Sequence, residues 1–142
     1  MANPQFRSAK EFREVMDKTF SLMSEDPSMG PRLRDADVPQ RFEFDDMDLV
    51  LNVRAARDGE DGCLYWEWSD DVDWSPKVKM AMSSETANKY FQGKENVAMA
   101  IARRRIKTGG DVKAALALIP ITKPLEAMYR DMIAADHPHL VA

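Results

Sequence analysis

Few side chains in this 142-residue chain have the types and spacing that metal binding requires. His137 and His139 are the only histidines, and they flank a proline, so a metal site there would need ligands from other segments. The acidic runs at 58–61 and 70–73 lack the spaced oxygen ligands, central glycine and distal glutamate of a calcium-binding loop. The sequence therefore predicts no metal ion, and both runs are typical of solvated turns.

Groups for nucleophilic and acid–base catalysis are also incomplete. Cys63 is the only cysteine and lies in an alternating pattern typical of a strand, and no serine lies in a Gly-x-Ser-x-Gly motif. Gly109-Gly110-Asp111 lacks the further glycines and the Lys-Ser/Thr ending of a phosphate-binding loop. The sequence predicts no catalytic residue and no cofactor. An enzyme that uses Asp111 or Glu126 as a general base stays open as an alternative.

The composition limits the class of partner and the compartment. A net charge of -4 and a pI near 5.2 oppose binding to nucleic acid, while 44% hydrophobic residues suffice for one globular domain over 1–142. A lone cysteine favours a reducing compartment. Met1–Arg7 has no apolar run typical of a signal peptide, and no segment has the roughly eighteen apolar residues of a membrane span. We therefore expect a cytoplasmic protein.

The basic run from Arg103 to Lys107 has two interpretations. It is typical of a solvated helix end followed by an edge strand, where cations oppose aggregation. It could also make transient contact with anionic lipid headgroups at a membrane surface.

The first half of the chain changes its hydrophobic period. Ser8 and Glu11 form a capping-box pattern before a helical stripe that should end at Asp26-Pro27, and a loop is expected through Gly30-Pro31. Apolar residues then alternate with polar ones over 41–55, 64–68 and 78–82, with acidic turns between. The sequence predicts three antiparallel strands that form a meander.

The second half is mainly helical. Two short helices are expected over 84–101, followed by a short edge strand over 105–108 and a helix capped by Asp111. A terminal helix after Pro124 carries Leu125, Met128, Tyr129 and Met132 at helical spacing, and the tail from His137 has no periodicity. This order of elements predicts an α+β domain.

Several of these segments together resemble the sterol-carrier-protein family of lipid-transfer domains, in particular its bacterial members. The strand at 77–82 and the Ser-capped helix after it, Tyr90-Phe91-Gln92-Gly93-Lys94, and the helix, basic strand and Gly-Asp turn over 97–111 match in order and spacing. Leu116–Pro120 and Lys123-Pro124-Leu125 continue the match. The resemblance covers 77–133 well and 8–76 by element order alone. One departure is Gly109-Gly110-Asp111, where Lys-Gly-Asp is commoner.

The resemblance implies a mostly antiparallel five-stranded sheet covered by helices, enclosing a hydrophobic tunnel. It implies non-catalytic binding and transfer of a lipid or other hydrophobic molecule, such as a sterol, fatty acid or acyl-CoA. We expect the terminal helix to act as the gate, because it is attached at only one end beyond Pro124. The residues expected to line the tunnel are those on the inward faces of the predicted elements. They are Leu51, Val53, Trp66, Trp68, Met80, Phe91, Ile101, Leu116, Leu125, Met128 and Met132.

Two questions stay open at this point. Ten methionines are more typical of ordinary core packing than of a cavity wall, so the same fold with a filled tunnel could serve as an accessory subunit that acts through protein–protein contacts. The ligand and the oligomeric state do not follow from the sequence.

Overall fold

The computed structural model describes residues 5–142. Residues 1–4, where the N-terminal stretch considered above as a signal peptide begins, lie outside it. The first helix, α1, spans Ala9–Glu25 as predicted, and the Ser8 hydroxyl accepts a hydrogen bond from the Glu11 amide at 3.1 Å. The face that it turns to the sheet is buried, and the buried residues are Phe12, Val15, Met16, Thr19, Phe20, Met23 and Ser24. This helix is therefore the main cover of the sheet.

The predicted loop through Gly30-Pro31 is wrong, because a second helix, α2, spans Met29–Ala36. The Asp26 carboxylate accepts hydrogen bonds from the Ser28 and Met29 amides at 3.0 and 2.7 Å and so caps its first turn. Pro31 lies in that first turn, where a missing amide N–H costs nothing. The helix buries Met29 and Leu33.

Within residues 5–142 the sheet has five strands: β1 Gln40–Phe44, β2 Leu49–Ala55, β3 Leu64–Glu67, β4 Val78–Met82 and β5 Lys107–Gly110. Their spatial order is β3-β2-β1-β4-β5. Three of the four pairings are antiparallel, and β1 with β4 is parallel. The α+β class and the mostly antiparallel five-stranded sheet are therefore confirmed, and β5 lies at an edge as expected.

The predicted meander is wrong in two respects. The alternating segment 41–55 is divided by a turn into β1 and β2, which pair with each other. Strand β4 does not follow β3 in the sheet but crosses over to pair with β1, where Met80 lies beside Phe42 and Met82 beside Phe44. This pairing extends one continuous apolar face across the sheet. Alternation along a single strand shows which residues share a face, but it does not show which strand lies beside it.

The remaining helices cover the same face. They are α3 Ser84–Phe91, α4 Val97–Ala102, α5 Val112–Ala117, α6 Ile119–Thr122 and α7 Leu125–Asp136. Side-chain oxygens of Ser83, Asn96 and Asp111 each accept the amide hydrogen three residues ahead, which confirms the predicted cap at Asp111. No helix in the described range is long and apolar enough to cross a membrane.

The chain after α7 is ordered by buried contacts despite its lack of periodicity. A 3-10 turn covers Pro138–Leu140, and the Leu140 side chain is completely buried. The Leu140 carbonyl oxygen accepts hydrogen bonds from the side-chain amide groups of Asn88 and Gln92, both at 2.9 Å. The two side-chain amides and the carbonyl group are almost fully buried, and each of them is thus hydrogen-bonded, as is usual for buried polar groups.

Candidate functional site

An apolar cavity of about 90 Å³ lies between the inner face of the sheet and the helices. Phe42, Val53 and Met80 form its floor on three adjacent strands, since Phe42 pairs with Met80 and β2 lies on the other side of β1. Phe20 and Leu33, from α1 and α2, border it from above the sheet. The surrounding side chains can exclude water from an apolar guest but offer few polar contacts.

Six of the eleven residues that the sequence analysis assigned to the tunnel border this cavity. They are Val53, Met80, Phe91, Ile101, Leu116 and Leu125. Their role in binding a ligand stays a prediction, but the fold brings them around one space from two strands and four helices.

Five of the predicted residues do not border the cavity. Leu51 is completely buried in the core. Trp66 and Trp68 pack against that core, and their indole N–H groups donate to Asp17 Oδ1 on α1 at 3.1 and 2.7 Å. Met128 and Met132 on α7 are partly buried against the core. All five lie in the core or pack against it, away from the cavity.

Helices α1 and α2 contribute a further part of the wall that was not predicted from the sequence. Phe20 and Met23 belong to the helical stripe that follows Ser8, so periodicity is enough to predict their inward position. Leu33 was hidden by the incorrect loop prediction. Residues from both ends of the chain therefore share the cavity.

The wall between α4 and α6 is the least buried. Val97, Ile101, Val112 and Leu116 border the cavity yet are partly exposed, and Leu116 is 39% exposed. Neither α5 nor α6 contributes a fully buried residue. This wall is less buried than α7, in which Leu125, Tyr129 and Ile133 are buried.

Four polar side chains border the cavity where α3, α6 and the start of α7 meet; we call Tyr90, Thr122, Lys123 and Glu126 the polar cluster. Lys123 Nζ lies 3.0 Å from Glu126 Oε1. Burial raises the pKa of Tyr90, the hydrogen bond with Thr122 opposes this rise, and the charge of Glu126 adds to it. The Tyr90 phenol is therefore protonated at neutral pH and can donate a hydrogen bond.

The other charged groups are engaged elsewhere. Arg54 on β2 also borders the cavity, but its guanidinium makes a two-point ion pair with Glu60 at 2.7 and 2.9 Å, which lowers the pKa of Glu60 to about 2. The two histidines both contact Glu11: His139 Nε2 at 3.0 Å and His137 Nδ1 at 3.5 Å. Over residues 5–142, no three metal-ligating side chains form a group that could hold a metal ion.

No protein-family model matches this chain, and no curated protein matches its sequence. Solved structures do match. A sec-alkylsulfatase from Pseudomonas sp. is 16% identical with a TM-score of 0.61 over 75% of this chain, which spans 16% of the enzyme's length. The enzyme is thus several times longer than the region that it shares with this chain.

Sterol carrier proteins match over nearly their full length. A structure described as UbiJ-SCP2, a ubiquinone synthesis protein, is 8% identical with a TM-score of 0.61, covering 87% of this chain and 97% of that one. Sterol carrier protein domain 2 of Helicoverpa armigera is 13% identical with a TM-score of 0.55, covering 89% and 96%. Since a sheet, its helical cover and its extent all correspond, this chain has the fold of sterol carrier protein domains.

Proposed function

We propose that this protein binds and transfers a hydrophobic small molecule, a lipid, sterol, fatty acid or acyl-CoA, without catalysis. The observation that supports the proposal most is the apolar cavity between sheet and helices in a sterol-carrier fold. Each methylene group moved from water into such a cavity contributes about 0.8 kcal/mol, so binding needs no polar chemistry. Asp111, the alternative base, instead caps α5 through the Ala114 amide at 3.0 Å.

A long-chain guest requires this cavity to enlarge. Its volume of about 90 Å³ is below the roughly 300–1,000 Å³ of typical ligand pockets. We propose that α5 and α6 move outward, because they contribute no fully buried residue. The buried hydrogen bond between Tyr129 and Asn88 argues against the terminal helix as the gate.

The same small volume favours a second candidate function, an accessory subunit whose tunnel is filled and which acts through protein–protein contacts. The similar UbiJ-SCP2 structure is described as a ubiquinone synthesis protein, which is compatible with such a role in that protein. The two candidates differ in whether the cavity accepts a guest.

Binding of the neutral dye N-phenyl-1-naphthylamine separates them. We expect dye fluorescence to rise and reach a plateau as protein is added. Dodecanoate or dodecanol should then displace the dye and lower the fluorescence. Met80→Trp, which adds volume at the cavity floor, should weaken dye binding at least about tenfold while the protein stays folded. Absence of saturable binding to the unmodified protein would favour the accessory role and overturn the carrier proposal.

Met128→Trp is the matched control. Met128 is also a partly buried methionine, but it does not border the cavity. We expect this variant to lose stability through overpacking and to keep the dye affinity of the unmodified protein. Equal loss of affinity in both variants would mean that the dye does not occupy this cavity.

We also propose a transient contact with anionic membrane surfaces. Residues 94–123, which include the exposed wall at α4–α6, contain seven Lys and Arg residues but only two Asp and Glu residues. The rest of the chain contains 13 Lys and Arg residues and 22 Asp and Glu residues. Each cation near an anionic leaflet contributes about 1 kcal/mol. Vesicles of phosphatidylserine and phosphatidylcholine should sediment the protein, pure phosphatidylcholine should not, and the double variant of Arg103→Glu and Arg104→Glu should abolish the difference.

The free Cys63 is compatible with a reducing compartment, and we propose the cytoplasm as the location. A fluorescent fusion to the full chain tests it. Diffuse cytoplasmic fluorescence is the expected result, and accumulation in an oxidising compartment would contradict the proposal.

A further inference from the structure

The polar cluster gives one end of the cavity a defined chemistry. The Glu126 side chain is 22% exposed, whereas that of its partner Lys123 is 72% exposed. Glu126 also packs on the backbone of Gly93, where an added Cβ would lie 2.8 Å from the carboxylate. The carboxylate is therefore held at the cavity rim, and the lysine that neutralises it lies on the solvent side.

The available hydrogen-bonding groups follow from these contacts. Lys123 engages Oε1 of Glu126, which leaves Oε2 able to accept another hydrogen bond. The single proton of the Thr122 hydroxyl is shared between the Tyr90 phenol oxygen and the carbonyl oxygens of Leu118 and Ile119, both 3.3 Å away, so Thr122 offers a ligand no free donor and leaves the phenol proton available. Tyr90 supplies a protonated phenol. On its buried side the cluster thus offers one strong acceptor, Glu126, and one donor, Tyr90, whereas the remaining N–H groups of Lys123 lie on the solvent side; its formal charge is zero.

A hydroxyl group matches this arrangement, because it can donate to Glu126 and accept from Tyr90 at the same time. A carboxylate does not, because it has no proton to donate and would lie next to the Glu126 charge in a partly desolvated site. Lys123 offers a carboxylate little compensation, because its side chain is 72% exposed and its charge already neutralises Glu126.

We infer that the polar cluster selects an uncharged lipid with a hydroxyl headgroup over a lipid of equal chain length with a carboxylate headgroup. The selection rests on the proposed function, because the chain of the ligand must occupy the apolar cavity. Glu126 and Tyr90 are then the residues that determine specificity at this site.

Competition for bound N-phenyl-1-naphthylamine at about pH 8, where a carboxylic acid is ionised, tests the inference. Dodecanol should displace the dye at a concentration about tenfold lower than dodecanoate, the ratio expected for one charge-assisted hydrogen bond. Glu126→Gln should reduce the difference between the displacing concentrations of the two lipids, mainly because dodecanoate would bind more tightly. Tyr90→Phe should also reduce this difference, mainly because dodecanol would bind more weakly.

Glu85→Gln is the matched control, since Glu85 forms a similar ion pair with Lys89 at 3.2 Å on the exposed side of α3. It should keep the ratio of the unmodified protein. Equal displacement by both lipids, tighter binding of dodecanoate, or a ratio unchanged in both Glu126→Gln and Tyr90→Phe would overturn the inference while the carrier function stands. Failure of the dye to bind at all would overturn the carrier function itself, and the inference with it.

Discussion

The Tyr129 hydroxyl on α7 donates a 2.7 Å hydrogen bond to the Asn88 side-chain oxygen on α3, and both side chains are buried. The Asn88 amide in turn donates to the Leu140 carbonyl, so one buried network joins α3, α7 and the following 3-10 turn. Burial raises the pKa of Tyr129, which therefore acts as a neutral donor. This network fixes the terminal helix over the sheet.

Tyr129→Phe should destabilise the fold by about 1–3 kcal/mol, because the Asn88 oxygen would be left buried without a partner. Urea denaturation followed by circular dichroism measures the loss. Tyr65→Phe is a suitable control, since Tyr65 donates to Glu67 on the half-buried outer face of the sheet, where water can replace the lost contact. An equal or larger loss in the control would contradict the role assigned to Tyr129.

Stability should fall as the pH decreases from about 4.5 towards 2 because of Glu60. Its pKa is lowered from 4.5 to about 2, mainly by the hydrogen bond from Arg54, so the unfolded chain binds more protons than the fold within this window. The stabilisation is therefore complete above pH 4.5 and is lost on acidification. Urea midpoints measured across the window should change less in Glu60→Gln than in the unmodified protein.

Asp61→Asn provides the comparison for that experiment, since it removes a neighbouring exposed carboxylate in the same turn. Its profile should parallel that of the unmodified protein. If Glu60→Gln also keeps the full slope, the Arg54 ion pair is not the source of the acid sensitivity.

Asp17→Ala should destabilise the fold by about 1–3 kcal/mol and alter the near-ultraviolet circular dichroism of tryptophan. The reason is that Asp17 accepts hydrogen bonds from both Trp66 and Trp68, which link β3 and the residue after it to α1. Asp17→Asn keeps a carbonyl acceptor and should retain part of the stability. An unchanged spectrum and denaturation midpoint in Asp17→Ala would show that these contacts contribute nothing measurable.

Gly110→Ala should destabilise the fold by about 1–3 kcal/mol. Gly110 has a φ of +77°, and an added Cβ would lie 2.5 Å from the Lys77 carbonyl oxygen. The adjacent Gly109→Ala is the control, because its Cβ would make an ordinary 3.9 Å contact with Lys79. We expect the unmodified protein and Gly109→Ala to have similar denaturation midpoints and Gly110→Ala to have a lower one. A lower midpoint for Gly109→Ala than for Gly110→Ala would contradict the conformational requirement for glycine at position 110.

The sequence alone was sufficient to identify most elements and the starts of α1 and α5. Ser8 begins α1 and Asp111 begins α5 because each short polar side chain caps amides three residues ahead, an interaction within one turn of chain. The inward faces of α1, β1 and β4 followed from periods of 3.6 and two. Motif order over 77–133 supported the fold, which similarity to sterol carrier structures then confirmed.

Only the tertiary structure decided how these elements meet. Helix α2 was missed because its cap, Asp26, precedes a Gly-Pro pair that is typical of a loop. The pairing of β4 with β1 and the separation of Met128 from the cavity depend on contacts between residues far apart in the chain. Periodicity determines whether a side chain faces inward, whereas the neighbours it meets there depend on how all the elements pack at once.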